Sequence, residues 1–434
     1  MPAYFLDPYG CVKNQVDAEN MMALLEKAGW SAATDPAEAD LIIVNSCGFI
    51  ESAKQESINA TLSWRKAYPE KKILLAGCLA RRYAAELAAS LPEADGLFGN
   101  ADPGGIVAAA AALLGNPAPR RPVLPPPGSR PLLSLPGSAY VKISEGCDNC
   151  CTFCSIPLIR GGLQSRPVPE LLAECRELLG RGVRELCLIG QDIGSYGRDK
   201  ADGPGLPELL EAIAGLPGDF WVRLLYIHPD KFPLPILDTI RRDSRFLPYF
   251  DIPFQHGSDR ILAAMNRQGG AETYLGLISR IREALPGAVI RSTFLLGFPG
   301  ETGDDFDRLL DFQGRARLDW AGCFVYSREE GTVAYTMKGR VSKKNALERK
   351  RIVEEQQVPI SEGQMERFVG REMDVLVEEA LDPPEGLYLG RLYCQAPEVD
   401  GAAVISAGGP LEPGVMARGR ITGRAGFDLA VSIG

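Results

Sequence analysis

The 434-residue sequence predicts an α/β protein in three parts: an N-terminal α/β domain, a partial barrel of six strand–helix units and a small C-terminal β-barrel of the OB kind. Three observations predict it. Strand-like runs alternate with helical stretches over residues 3–115 and again over 139–328, the pattern of parallel sheets crossed by helices. A stretch with eight prolines, residues 116–136, separates the two and excludes both helix and central strand. Beyond residue 367 the pattern changes to short strand-like runs broken by Gly and Pro. The expected boundaries are therefore 1–115, 116–136 as a stiff connector, 137–366 and 367–434.

In the first part, residues 3–6 read as a strand leading to Pro8-Tyr9-Gly10-Cys11. Residues 16–29 carry Met21, Met22, Leu24 and Leu25 at helical spacing and stop at Gly29. Residues 41–44 and 72–75 are largely apolar runs, as expected of strands buried on both faces. A polar helix follows the second strand to about residue 67, and further helices are expected over 81–90 and 106–114. Each of the three strands ends at a cysteine: Cys11, Cys47 and Cys78. Ligands of open parallel sheets bind outside the carboxyl ends of the strands, so the three thiols converge on one edge. A single free cysteine is usually a small buried hydrophobe. Three in the same structural position point to a metal-cluster site.

In the second part, strands are expected over 140–144, 185–190, 222–227, 249–254, 289–296 and 323–326, with helices between them. Six units are two short of a full (β/α)8 barrel, so the barrel is open. Polar and glycine residues gather just after the strands, the end that carries active sites in barrels: Gln191, His228, Gln255-His256-Gly257 and Gly297. The only two histidines both fall there, as site residues or as structural ones. Residues 346–367 form a long polar helix, a solvated connector or a packing brace.

The first barrel strand runs into Gly146-Cys147-Asp148-Asn149-Cys150-Cys151-Thr152-Phe153-Cys154. Soft thiolates select iron–sulfur clusters, zinc or copper(I). Cys147, Cys151 and Cys154 have C-x3-C-x2-C spacing; Cys147, Cys150 and Cys154 are a competing set. Three cysteines on a short loop can hold three corners of a four-iron cube and leave the fourth iron open. Zinc prefers four ligands in a closed tetrahedron, which the adjacent Cys150 and Cys151 can hardly supply together.

The totals narrow the function. Eleven cysteines are an odd, scattered set, which favours metal ligands and buried thiols in a reducing cytoplasm over a disulfide framework. No spanning apolar run and no secretory leader are recognised. A net charge of −9 argues against bulk positive charge as a grip on nucleic acid. From residue 367 on, six basic and ten acidic residues leave the last module at −4. Backbone binding to RNA is dominated by Lys and Arg, so this module suits a basic protein better than tRNA.

The sequence resembles the radical S-adenosylmethionine (SAM) methylthiotransferases over essentially its whole length. The likeness rests on ISEGCDNCCTFCSIPLIRG, on the cysteines of PYGCVKN, NSCGFIESA and AGCLARRY, and on QHGSD, LLGFPGET and APEVDG. KNQVDAEN, APEVDG and the acidic last module resemble the branch that modifies a ribosomal protein rather than tRNA. Val12 departs from the proline usual after the first cysteine, and Cys150 is an extra thiol.

The resemblance implies a radical SAM barrel and a C-terminal TRAM domain. It implies two 4Fe–4S clusters, one on Cys147, Cys151 and Cys154 and one on Cys11, Cys47 and Cys78. SAM would chelate the open iron of the first and yield a 5′-deoxyadenosyl radical. Phe153 could pack against its adenine, and Gln191 and Gly297 sit where such barrels contact SAM; barrel packing is the other reading of these three. The expected reaction places a methylthio group on the β-carbon of an aspartate of a basic small-subunit ribosomal protein, the twelfth, with a flavodoxin or ferredoxin as electron donor. The alternatives are a tRNA adenosine methylthiotransferase and a non-catalytic electron-transfer protein.

Overall fold

The structure is a computed structural model that describes residues 1–100, 102–116 and 126–434. Part of the expected connector, residues 117–125, lies outside the described residues. Its far end is pinned. Arg130 is buried, pairs with Glu19 at 2.8 Å and Glu174 at 2.5 Å, and donates to the Tyr140 carbonyl, so it joins the first two sheets.

The N-terminal sheet has five strands: β1 (Ala3–Pro8), β2 (Ser31–Ala32), β3 (Leu41–Ser46), β4 (Lys72–Gly77) and β5 (Gly96–Phe98). They are all parallel, in the order β2-β1-β3-β4-β5. The three expected strands are the central ones. The two edge strands span two and three residues, too short to leave a periodic signal. The first helix, Val12–Lys27, starts earlier than its apolar spacing predicts because Cys11 is its N-cap. The helix expected over 81–90 is two, Cys78–Arg82 and Ala84–Ser90, broken at Tyr83.

The second sheet is built from β6 (Ser138–Lys142), β9 (Glu185–Ile189), β10 (Trp221–Leu224), β11 (Phe246–Asp251), β12 (Val289–Leu296) and β13 (Trp320–Val325), parallel and in sequential order. Between β6 and β9, β7 (Ser144–Glu145) and β8 (Gln164–Ser165) form a separate antiparallel pair. Alternate residues serve opposite faces. Ala139, Val141, Leu186, Leu188, Val222 and Leu224 pack outward under the helices. Tyr140, Cys187, Ile189 and Tyr249 belong to an inner core that also takes in Val16 of the first helix and the C-terminal barrel.

The long polar helix is Lys343–Glu366, and it is a brace. Gln357 donates to Leu318 O at 2.9 Å, Ser361 to Asp319 O at 2.7 Å, and Gln313 reaches Val353 O at 2.9 Å. Its buried face is thus partly amide and hydroxyl, which is why its sequence reads as solvated.

The last five strands, β14 (Glu372–Asp382), β15 (Leu387–Leu392), β16 (Ala403–Ala407), β17 (Met416–Ala425) and β18 (Asp428–Ile433), close into a barrel in the order β14-β15-β16-β18-β17. It docks on the six-stranded sheet through buried polar contacts. Glu185 meets Arg223 at 2.7 Å and Arg391 at 2.5 Å, Trp320 donates to Cys394 O at 2.8 Å, and the Tyr249 hydroxyl donates to Asp400 at 2.5 Å. Among the described residues no helix is long and apolar enough to cross a membrane.

Candidate functional site

Two sets of free thiols lie at the carboxyl ends of the two parallel sheets. In the first set, Cys11 follows β1, Cys47 follows β3 and Cys78 follows β4. The loops are packed tightly: Gly10 has φ +94°, and a Cβ there would stand 2.9 Å from Cys47 Cβ. Asn14 ties the loops together. Its amide donates to Tyr9 O at 2.6 Å and Ser46 O at 3.2 Å, its carbonyl oxygen lies 3.7 Å from Cys78 Sγ, and its backbone carbonyl accepts from Asn45 at 2.8 Å.

The environments of these thiols differ. Burial pushes Cys47 up to about 12 and also raises Cys78. Cys11 is exposed as a residue; desolvation of its thiol works upward, but the charges of Lys13 and Arg160 outweigh it, and the net direction is down. Cys78 receives two donors, Arg160 at 3.1 Å and Asn100 at 3.5 Å. Donors on sulfur are among the factors that set iron–sulfur potentials.

The second set lies on the loop after β7. Cys147 N donates to Gly161 O at 3.2 Å, Thr152 N to Met265 O at 3.2 Å, and Ile156 N to Cys154 Sγ at 3.5 Å. Cys147, Cys151 and Cys154 are half-buried, and burial pushes Cys147 up to about 11 and Cys154 to about 12, with their neighbouring thiols adding to both. Cys151 Sγ lies 3.9 Å from His228 Nε2. Cys150 is apart: it is exposed, in a left-handed turn at φ +51°, with its carbonyl accepting from Asn266 at 3.0 Å.

The two sets are joined by one short helix, Ile156–Arg160. It follows Cys154 directly, and its last residue, Arg160, reaches across to Cys78 and to Asp17 at 2.9 Å while holding Glu145 at 2.8 Å. Lys142 completes the buried network with Asp17 and Glu145. Burial would raise the Glu145 carboxyl, but Lys142 and Arg160 hold it down at about 2. A second clamp closes the N-terminal sheet onto the barrel, with Arg82 at 2.8 Å and Lys54 at 3.1 Å from Glu329.

The other expected residues surround the second set. Phe153 packs beside Met265, Leu295 and Phe298. Gln191 donates to Glu145 at 3.1 Å, and its buried carbonyl oxygen has no partner. Gly297, at φ +76°, leaves room only for hydrogen against Ala346 and lines a cavity of about 530 Å³ with Tyr326 and Ile50. Of the two histidines, His228 stands at the thiols, whereas His256 is fully buried behind them and accepts from Ser258 N at 3.0 Å. Sequence reasoning missed Asn14, Arg160 and Lys13. Their signal was membership of the stretches KNQVDAEN and ISEGCDNCCTFCSIPLIRG, which carry the resemblance but assign no role to a single residue.

The donors suit iron–sulfur cubes. All six thiols are free of disulfides. Among the described residues no three Cys, His, Asp or Glu close on a point the size of a single metal ion. Soft thiolates in sets of three suit a cluster that takes one at each of three corners.

Comparison with known proteins agrees with this arrangement. Residues 3–99 match the uncharacterized protein family UPF0004, residues 141–312 the radical SAM superfamily, and residues 369–433 the TRAM domain. The fold and its thiols thus define a radical SAM protein. The ribosomal protein uS12 methylthiotransferase RimO of Treponema denticola is 46% identical over 98% of this chain and 99% of that protein. RimO of Pelotomaculum thermopropionicum is 41% identical over 97% and 96%. The chain belongs to the RimO family. Among solved structures, the radical SAM methyltransferase TsrM from Kitasatospora setae shares the fold, with a TM-score of 0.57 at 15% identity over 77% of each chain.

Proposed function

We propose that this chain methylthiolates ribosomal protein uS12, placing the group on the β-carbon of one aspartate, with two 4Fe–4S clusters and S-adenosylmethionine. The observation that carries the reading is the pair of free-thiol sets joined by Arg160, in a chain 46% identical to a named uS12 methylthiotransferase. Cys147, Cys151 and Cys154 would hold one cluster, and Cys11, Cys47 and Cys78 the other.

Bound there, these groups supply the one-electron and sulfur chemistry that an unactivated C–H bond requires. The protein's own part is placement and exclusion of water. Phe153 offers S-adenosylmethionine an apolar wall, Gln191 an unpaired amide oxygen and Gly297 a bare backbone turn. The Arg82–Lys54–Glu329 clamp holds the N-terminal α/β part against the barrel. The acidic TRAM module suits a basic ribosomal protein. We infer a flavodoxin or ferredoxin as the donor class for the reducing electron, and a cytoplasmic reaction follows from a ribosomal substrate.

The test is mass spectrometry of ribosomal proteins from cells lacking this chain. The expected result is loss of one methylthio group from uS12 and from no other protein. An unchanged uS12, or loss of methylthio-adenosine from tRNA instead, overturns the reading. In the reconstituted protein about eight irons per chain are expected, with formation of deoxyadenosine.

A further inference from the structure

Around the space between the two thiol sets most cations are paired with carboxylates; buried Arg267, whose charge acts on Cys151, instead donates to the Pro253 carbonyl. Arg160 and Lys142 share Asp17 and Glu145, Arg291 holds Asp251 and Asp400, and Arg82 and Lys54 share Glu329. Lys13 differs. It is 9% exposed, its ammonium stands 3.2 Å over the Tyr226 ring, and among the described residues no carboxylate lies within ion-pair distance of it. Burial lowers its basicity, and Cys11, Asp251 and Glu145 oppose that only from beyond ion-pair distance. A buried ammonium with no direct carboxylate partner is costly, and an aromatic face repays only part of that cost. Tyr226 itself has φ +69°, a left-handed conformation that a bulky residue adopts only under constraint. It follows β10 at the active end of the barrel, so strain has been accepted to set this ring under Lys13.

Lys13 is two residues from Cys11. In aspartate the carboxylate carbon is bonded to the β-carbon that receives sulfur. A group that holds the carboxylate must therefore lie beside the thiol set that presents the sulfur, and Lys13 does. We propose that Lys13 anchors the side-chain carboxylate of the substrate aspartate and so selects aspartate over its amide. This inference rests on the uS12 reading. The carboxylate of S-adenosylmethionine has the same chemistry, and the test separates the two sources.

The measurement is binding of uS12 to the anaerobically reconstituted holoenzyme, using uS12 with its modified aspartate intact and uS12 with that residue changed to asparagine. A charge-assisted contact in a dry site gives the wild type a preference for the aspartate form of about tenfold to a hundredfold. Lys13→Met and Lys13→Gln lose that preference and Lys13→Arg keeps it, while affinity for S-adenosylmethionine stays level in all four proteins. Iron content and melting temperature are read on each variant, because a purely structural lysine would move those and leave the preference intact. Equal wild-type affinity for the two uS12 forms overturns the proposal without any variant. A preference that survives Lys13→Met overturns it too, as does a loss confined to S-adenosylmethionine affinity. A wild type that neither binds nor modifies uS12 in either form removes the functional reading itself, a result distinct from these.

Discussion

Asn14 ties together three loops that are far apart in the chain, with one amide serving Tyr9, Ser46 and Cys78. Asn14→Ala strands those buried groups, at about 1–3 kcal/mol for the unsatisfied partners. The expected outcome is a lower melting temperature and reconstitution with about four irons per chain instead of about eight, read by iron assay. Cys150 gives the complementary prediction. Its exposure and left-handed backbone set it apart from the three half-buried thiols. Cys150→Ser keeps the full iron content, whereas Cys151→Ser loses about half of it. The spacing of CDNCCTFC left two ligand sets open. Cys150 differs from the other three in exposure and backbone conformation, and a string of residue types carries little of that information. Asn14 was equally hidden, since an asparagine in the first turn of a helix reads as ordinary capping chemistry until the neighbouring loops are in place.

At the scale of elements, His256 makes the turn after β11 sensitive to acid. It is fully buried, and Arg260, Arg349, Asp305 and Glu301 surround it. Burial pulls its imidazole down to about 3, while Asp305 opposes and Arg349 and Arg260 assist. An unfolded histidine titrates near pH 6.5. The folded state therefore refuses a proton that the unfolded state accepts. This contribution to stability is complete above about pH 6.5 and drains away between there and about pH 3, a few kcal/mol in all. Thermal melts from pH 7 to pH 4.5 should show a falling melting temperature with a flatter slope in His256→Gln. The strands that hold these turns were legible because they are apolar runs of regular spacing, and β12 falls where the pattern puts it, Val289–Leu296. The long polar helix could be read only as a connector or a brace, because Gln357 and Ser361 are buried polar residues that satisfy carbonyls of the loop before β13. Only a partner's position tells such a face from a wet one.

Over the whole molecule, the C-terminal barrel is fastened by charge as well as by apolar packing. Glu185 is fully buried between Arg223 and Arg391; burial alone would raise its carboxyl, and the two guanidinium groups hold it well below the usual carboxylate range. Glu185→Gln leaves buried Arg223 without a carboxylate and Arg391 with Glu378 alone, at about 3–5 kcal/mol. The variant should expose the junction near Arg367 to protease, and the wild-type contact should resist salt because it is dry. The three-part order and the closed last barrel could be read from the change of pattern along the chain. Their mutual docking could not, because Glu185 and Arg391 are 206 residues apart and look like any surface charges.

The short helix between Cys154 and Arg160 serves both thiol sets at once. Oxygen damage that unravels the barrel loop would also withdraw the donor on Cys78, so injury to one metal site is felt at the other. Repair then has an order: the barrel loop must be rebuilt before its neighbour recovers the donor that sets its working potential.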